Sequence, residues 1–241
     1  MHSYPTTALL LASCLARLAP AHAQATFSIG PRVGLSLATY HHGESQPGTV
    51  GYHPGFEAGL VGSAGFGHVA VQPTLLYSQK GDTFRAPVDF RNVNNIPIGS
   101  GELLRKNRLN YLTLPLNVAY RQHPDGQGFQ VFAGPYLGLL LSGSYEITTT
   151  ANGSSVGGAS GRITPVANDA PDLDVYARRF DTGLQGGLGY RHQALLLNIG
   201  YSVGLRNVAA RYTYNGIPVS SSPYYNRAFQ VSLAYLLGPK G

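Results

Sequence analysis

The chain has 241 residues, of which 12% are charged and 43% hydrophobic, and a formal net charge of +6. Its 31 Gly and 16 Pro resist helix formation and argue against a helical bundle or coiled coil. One Cys leaves no disulfide framework, and the charged fraction is about half the roughly 25% of soluble domains, too little to cover an ordinary wetted surface.

In chain order, Ala8 to Leu18 is mostly apolar, and Ala21-His22-Ala23 has the small-x-small form of a signal peptidase site. A signal peptide over 1–23 and a single domain over 24–241 are expected. Leu11-Ala12-Ser13-Cys14 also resembles a lipoprotein box, but the apolar stretch before Cys14 is short and the Ala-His-Ala site fits better. Removing 1–23 takes away one base, Arg17, and the only cysteine.

From Phe27 onward the pattern has period two, the signature of strands with unlike faces. Phe27, Ile29, Val33, Leu35 and Leu37 alternate with Ser28, Gly30, Arg32, Gly34 and Ser36. A weaker Gly-rich segment spans Gly55 to Phe66. Further alternation runs over Val69–Ser78, Tyr111–Tyr120, Phe129–Ser142, Arg179–Tyr190, Leu195–Leu205 and Ala228–Leu237, giving eight predicted strands. Short connections fall near Gly65–His68, Gln122–Gly128 and Arg191–Gln193. Long ones cover His41–Tyr52, Gly81–Asn107, Gly143–Arg178 and Arg206–Tyr224. Interleaved short turns and long loops predict an all-β, eight-stranded antiparallel up-and-down barrel with two unlike ends.

Composition separates a transmembrane barrel from a soluble barrel or sandwich. The non-apolar face is largely Gly, Ser, Ala, Thr, Asn and Gln, which suits a narrow interior rather than water. The apolar face then meets lipid, with short periplasmic turns and longer extracellular loops. Phe27, Tyr40, Phe56, Phe66, Tyr77, Tyr120, Phe129, Phe180, Tyr190 and Tyr235 lie near strand ends, as interfacial girdles would. The expected location is the bacterial outer membrane, reached by export.

Several motifs taken together resemble the PorT-like outer-membrane β-barrel family of diderm bacteria. They are Pro31-Arg32-Val33-Gly34-Leu35-Ser36, Gly55-Phe56-Glu57-Ala58-Gly59, Gln72-Pro73-Thr74-Leu75-Leu76-Tyr77-Ser78-Gln79-Lys80-Gly81, Tyr111-Leu112-Thr113-Leu114-Pro115-Leu116, Gly134-Pro135-Tyr136-Leu137-Gly138 and Phe180-Asp181 to Gly189-Tyr190. The resemblance implies a fold and a location more than an activity. One namesake serves in protein secretion.

Polar residues on the inward parity are Arg32, Glu57, Gln72, Lys80, Asn117, Gln130, Asp181, Gln185, Asn198 and Gln230. They form either a narrow channel or pocket, or a hydrogen-bonded plug; eight strands favour the plug. Arg32 is expected to pair with Glu57 or, failing that, with another inward acid such as Asp181. His41, His42, His53 and Glu44 lack metal-site spacing and read as a solvated loop. His68, His123 and His192 fall at the short turns. Arg105-Lys106-Asn107-Arg108 is either a site for lipopolysaccharide phosphates or an ordinary basic loop end. Thr150 to Gly161 reads as a mobile, low-complexity stretch.

No cofactor or metal is expected, nor nucleic acid, because the basic charge is dispersed and the chain exported. The expected partners are outer-membrane lipid and lipopolysaccharide, the barrel-assembly machinery during insertion, and envelope or secretion proteins. Three functional classes remain open: a non-enzymatic barrel with contact loops, an accessory subunit of a secretion or transport machine, and a lipid-directed enzyme. The last is disfavoured because no Gly-x-Ser-x-Gly, His-Glu-x-x-His or convincing dyad is present.

Overall fold

The computed structural model describes residues 25–42, 48–166, 169–170, 175–214, 217–220 and 223–238. The expected signal peptide, Cys14 and Glu44 lie outside the described residues. The strands are β1 (Thr26–His42), β2 (Thr49–Phe66), β3 (Val69–Arg91), β4 (Pro97–Arg121), β5 (Gly128–Ala151), β6 (Ser154–Val166), β7 (Asp169–Ala170), β8 (Tyr176–Arg178), β9 (Phe180–His192), β10 (Leu195–Gly204), β11 (Arg211–Tyr214), β12 (Ile217–Ser220) and β13 (Tyr224–Tyr235).

Eight of them close a ring in the order β1-β2-β3-β4-β5-β9-β10-β13, every neighbouring pair antiparallel. The last pair joins β13 back to β1, with Arg32 opposite Ala234 and His42 opposite Tyr224. Closure leaves no ring strand with an unpaired edge, the condition for a sheet to survive in lipid.

Side-chain direction follows the period of two. On β1, Phe27, Ile29, Val33, Leu35 and Leu37 are exposed on the outside, while Arg32, Ser36 and Ala38 are buried within. On β4, Leu112, Leu114, Leu116, Val118 and Tyr120 point out, and Tyr111, Thr113 and Asn117 point in. The outer face is thus almost wholly apolar, and in water it would be an aggregation surface far beyond what a soluble monomer exposes. Tyr40 departs from the expected girdle. Its even position puts it on the inward parity of β1, where it is buried against Tyr224 with ring centroids 4.7 Å apart.

Two predicted long loops are instead mostly strand. β3, β4 and β5 contain 23, 25 and 24 residues, against the roughly 9–11 needed to cross a bilayer obliquely. The segment 81–107 is a hairpin bent at Asn92–Ile96, with Gly81 opposite Arg108 and Val88 opposite Gly101. The stretch Thr150–Gly161 is likewise ordered: β6 pairs with β5 from Ala151–Ser154 to Gly143–Ile163. Its turn is Asn152-Gly153, with φ of 50° and 79°. Asn-Gly is the strongest sequence cue for a two-residue hairpin, because both central residues need left-handed φ. Composition alone had hidden it.

Small residues on the inner face make room for aromatic rings. A Cβ on Gly187 would lie 2.8 Å from the Phe132 ring, and one on Gly200 would lie 3.1 Å from it. Phe132 is therefore accommodated in the lumen by glycines on β9 and β10.

Candidate functional site: the polar lumen

The ring brings together inward polar residues that are distant in sequence. Toward the end bearing the short turns, Gln72 Nε2 donates to Gln130 Oε1 at 3.1 Å, and Gln130 Nε2 donates to Asn198 Oδ1 at 3.2 Å. This chain of amides runs from β3 through β5 to β10. Gln185 Nε2 donates to Asn117 Oδ1 at 3.0 Å, linking β9 to β4. Ser78 and Thr113 share a hydroxyl–hydroxyl bond of 2.7 Å. Each of these amide hydrogen bonds passes over one intervening strand, so the side chains reach across the interior rather than line a wall.

Two ion pairs lie within the same interior. Arg32 Nη2 is 3.7 Å from Glu57 Oε2, and both side chains are buried. Glu57 Oε1 also accepts from Gln230 Nε2 at 2.8 Å. Arg32 faces Gly59 on β2, two residues along from Glu57, so the arginine reaches diagonally to the acid. Lys80 Nζ is 3.0 Å from Asp181 Oδ2. The same oxygen accepts from Asn226 Nδ2 at 2.9 Å and Tyr136 Oη at 3.2 Å. The ammonium sits 4.3 Å from the Tyr136 ring centroid and 5.4 Å from that of Tyr111. Taking charges out of water is costly; at Lys80 and Asp181 close pairing with several hydrogen bonds offsets that cost, whereas Arg32 and Glu57 make a looser contact.

Of the predicted lumen residues, Arg32, Glu57, Gln72, Asn117, Gln130, Asp181, Gln185 and Asn198 are buried inside, and Gln230 is partly buried. The structure connects Asp181 to Lys80 rather than to Arg32. Sequence reasoning missed Tyr111, Tyr136 and Asn226. The inward parity of Tyr111 and Tyr136 was legible, but their phenols were not distinguishable from packing residues.

The end bearing the long connections is covered. Tyr40, Leu109, Tyr111, Leu140, Ile163 and Ala177 form a buried apolar cluster. Ile163 comes from β6 and Ala177 from β8, so the long connection after β5 folds back into the mouth. At the opposite end, Arg121 Nη2 donates to the carbonyls of Gly67 at 2.6 Å and Pro124 at 3.2 Å. His68 Nδ1 lies 2.9 Å from the Arg121 carbonyl oxygen. A cleft of about 540 Å³, lined in part by Asp125, Arg191, Tyr235 and Leu236, opens at this end. Among the described residues, no three His, Cys, Asp or Glu side chains gather as a metal site.

Solved structures similar to this chain include the following three. Ail, the attachment invasion locus protein of Yersinia pestis, solved with the heparin analogue sucrose octasulfate, has 12% identity, covering 88% of this chain and 99% of its own, with a TM-score of 0.38. Neisserial surface protein A has 9% identity over 88% of this chain and 98% of its own, with a TM-score of 0.36. The translocator domain of the autotransporter NalP from Neisseria meningitidis has 13% identity over 95% and 97%, with a TM-score of 0.26. No curated protein matches the sequence. The family model described as outer membrane protein beta-barrel domain matches residues 22–210, most of the chain, and the protein belongs to this family of bacterial outer-membrane barrels.

Proposed function

We propose that this protein is a non-enzymatic outer-membrane barrel whose strand extensions carry contacts at the cell surface. The observation behind this reading is the length of β3, β4, β5 and β6. Their far halves form a continuous antiparallel sheet beyond the span a bilayer needs. A rigid sheet presents a surface without ordering cost at binding, unlike a flexible loop. In this reading the long-loop end faces outside and the short turns face the periplasm, the arrangement general to such barrels. A cleaved signal peptide delivers the chain, and the barrel-assembly machinery inserts it.

The lumen is read as closed. Amide hydrogen bonds and the Lys80–Asp181 ion pair cross it, and apolar side chains cover one mouth. This favours a structural and adhesive role over conduction.

The test is a pull-down from detergent-solubilised outer membrane, comparing the full chain with a variant whose extensions are shortened by deleting 87–101 and 148–157. The reading expects envelope or surface proteins captured by the full chain to be lost from the shortened one, with the barrel still folded. Retention of the same partners by the shortened chain would overturn it. The resemblance to PorT-like proteins supports a second reading, an accessory subunit of a secretion machine. Capture of secretion components by both forms would favour that instead.

A further inference from the structure

The outer face of β3, β4 and β5 changes from apolar to polar within one step. Going up β4 on the outward parity, Leu116, Leu114 and Leu112 are exposed apolar side chains. The next outward residue is Asn110. Gln79 Nε2 donates to Asn110 Oδ1 at 3.2 Å, and Asn110 Nδ2 donates to Ser142 Oγ at 3.0 Å. These bonds make a polar belt across three adjacent strands and mark where hydrocarbon must end.

Directly beyond the belt stands Arg108. Its ladder partner is Ser144 on β5, and the partner of Ser144 on the other side is Arg162 on β6. Both arginines are exposed. With strands about 4.8 Å apart, their Cα atoms are separated by roughly 10 Å, with a small hydroxyl residue between them. Lys106, also exposed, is one outward step further, beside Glu146. The remaining members of this basic run face the other way. The Arg105 guanidinium lies 5.1 Å from the Phe84 ring centroid, and Asn107 Nδ2 donates to Asp82 Oδ1 at 2.7 Å. Alternation thus divides one basic run into an inward half that packs and an outward half that faces the membrane surroundings.

We propose that Arg108 and Arg162, assisted by Lys106, bind the phosphate group of an outer-leaflet lipid. Two guanidinium forks flanking a serine suit a tetrahedral oxyanion, which accepts paired N–H donors. Their height suits a phosphate held just above the acyl chains. None of the three cations is within ion-pair distance of an acid among the described residues, whereas Arg85 is held by Glu102 at 3.5 Å. Glu146 is the nearest opposing carboxylate by register and weakens the Lys106 contribution most. The inference rests on the transmembrane reading of the barrel.

The test uses the folded full-length mature chain in phosphatidylcholine nanodiscs containing either bis-phosphorylated lipid A or the same lipid with its phosphates removed. Bound lipid is counted by native mass spectrometry. The expected result is preferential retention of the phosphorylated form. Arg108→Gln with Arg162→Gln should weaken it at least roughly tenfold, while Arg91→Gln, near the hairpin tip, should leave it unchanged. Millimolar inorganic phosphate should not compete, because a lipid is the ligand. Equal retention of both lipids, or equal loss in the Arg91 variant, overturns the proposal. So does displacement by free phosphate. Nanodiscs present both leaflets alike, so the result is independent of which end faces outside. Failure to enter the disc at all would instead refute the transmembrane reading.

Discussion

Lys80 and Asp181 meet at 3.0 Å across the lumen although 101 residues separate them in sequence. The two sit on β3 and β9, with β4 and β5 between them on the shorter way round the ring, so the contact spans the bore. It also collects Tyr136 and Asn226 onto one carboxylate oxygen. This cluster is where the interior is most tightly specified.

Breaking that pair should be costly. Removing one partner of a buried ion pair leaves an uncompensated charge, worth roughly 3–5 kcal/mol. Lys80→Met and Asp181→Asn are each expected to lower unfolding stability in detergent by that order. The double variant should recover a substantial part of the loss. Additive losses in urea titrations would show that the two residues do not couple.

A milder result is expected at the second pair. Arg32 and Glu57 are 3.7 Å apart, beyond hydrogen-bond distance, and Glu57 keeps its bond from Gln230. Glu57→Gln should therefore destabilise less than Asp181→Asn, and adding Arg32→Leu should restore part of the loss. Thermal melts of the three variants decide it, and a larger loss at Glu57 than at Asp181 would reverse the ranking of the two pairs.

The apolar exterior gives a depth-dependent prediction. Leu116 lies in the middle of the outward apolar row of β4, and Tyr120 is one residue from its end. An arginine at the bilayer midplane costs roughly 2–4 kcal/mol and much less near the interface. Leu116→Arg should thus impair folding into vesicles more than Tyr120→Arg. Equal penalties would mean that the apolar band is not centred where the structure puts it.

Sidedness can be read with single cysteines in a Cys14→Ser background. Asn94→Cys at the tip of the β3–β4 hairpin and Ser155→Cys beside the Asn152-Gly153 turn should react with an impermeant maleimide on intact cells. His123→Cys, in the β4–β5 turn, should react only after the envelope is opened. The opposite pattern reverses the assignment of the two ends.

Planar-bilayer recordings should show no steady conductance of porin size from the wild-type barrel. Amide chains such as Gln72–Gln130–Asn198 occupy the path that water would need. A stable open channel would contradict the closed lumen.

The barrel was legible in the sequence because strand side chains alternate regardless of tertiary detail. Phe27 to Leu37 shows this: one parity is apolar and the other is Ser, Gly and Arg. Partner choice was less legible. Parity says that Asp181 points inward, but it does not say which inward cation, on a strand several places round the ring, reaches it. That depends on stagger and strand tilt, which alternation does not encode. The extensions were missed for a different reason. Gly- and Ser-rich composition at Thr150 to Gly161 suggested mobility, while the Asn152-Gly153 turn and pairing with β5 decide its conformation. Tyr40 followed its parity inward where a rule about strand-end aromatics placed it outside.

The seam of the ring is formed by β1 and β13, the first and the last of the described strands. Until β13 has left the ribosome, no partner exists for the open side of β1. Any sheet begun at β1 before then keeps an open edge. Loop-closure entropy across nearly the whole length must be met in one late event. Ring closure is consequently post-translational by geometry, and a chain that stops before Tyr224 would keep an open, sticky seam in place of a shorter closed barrel.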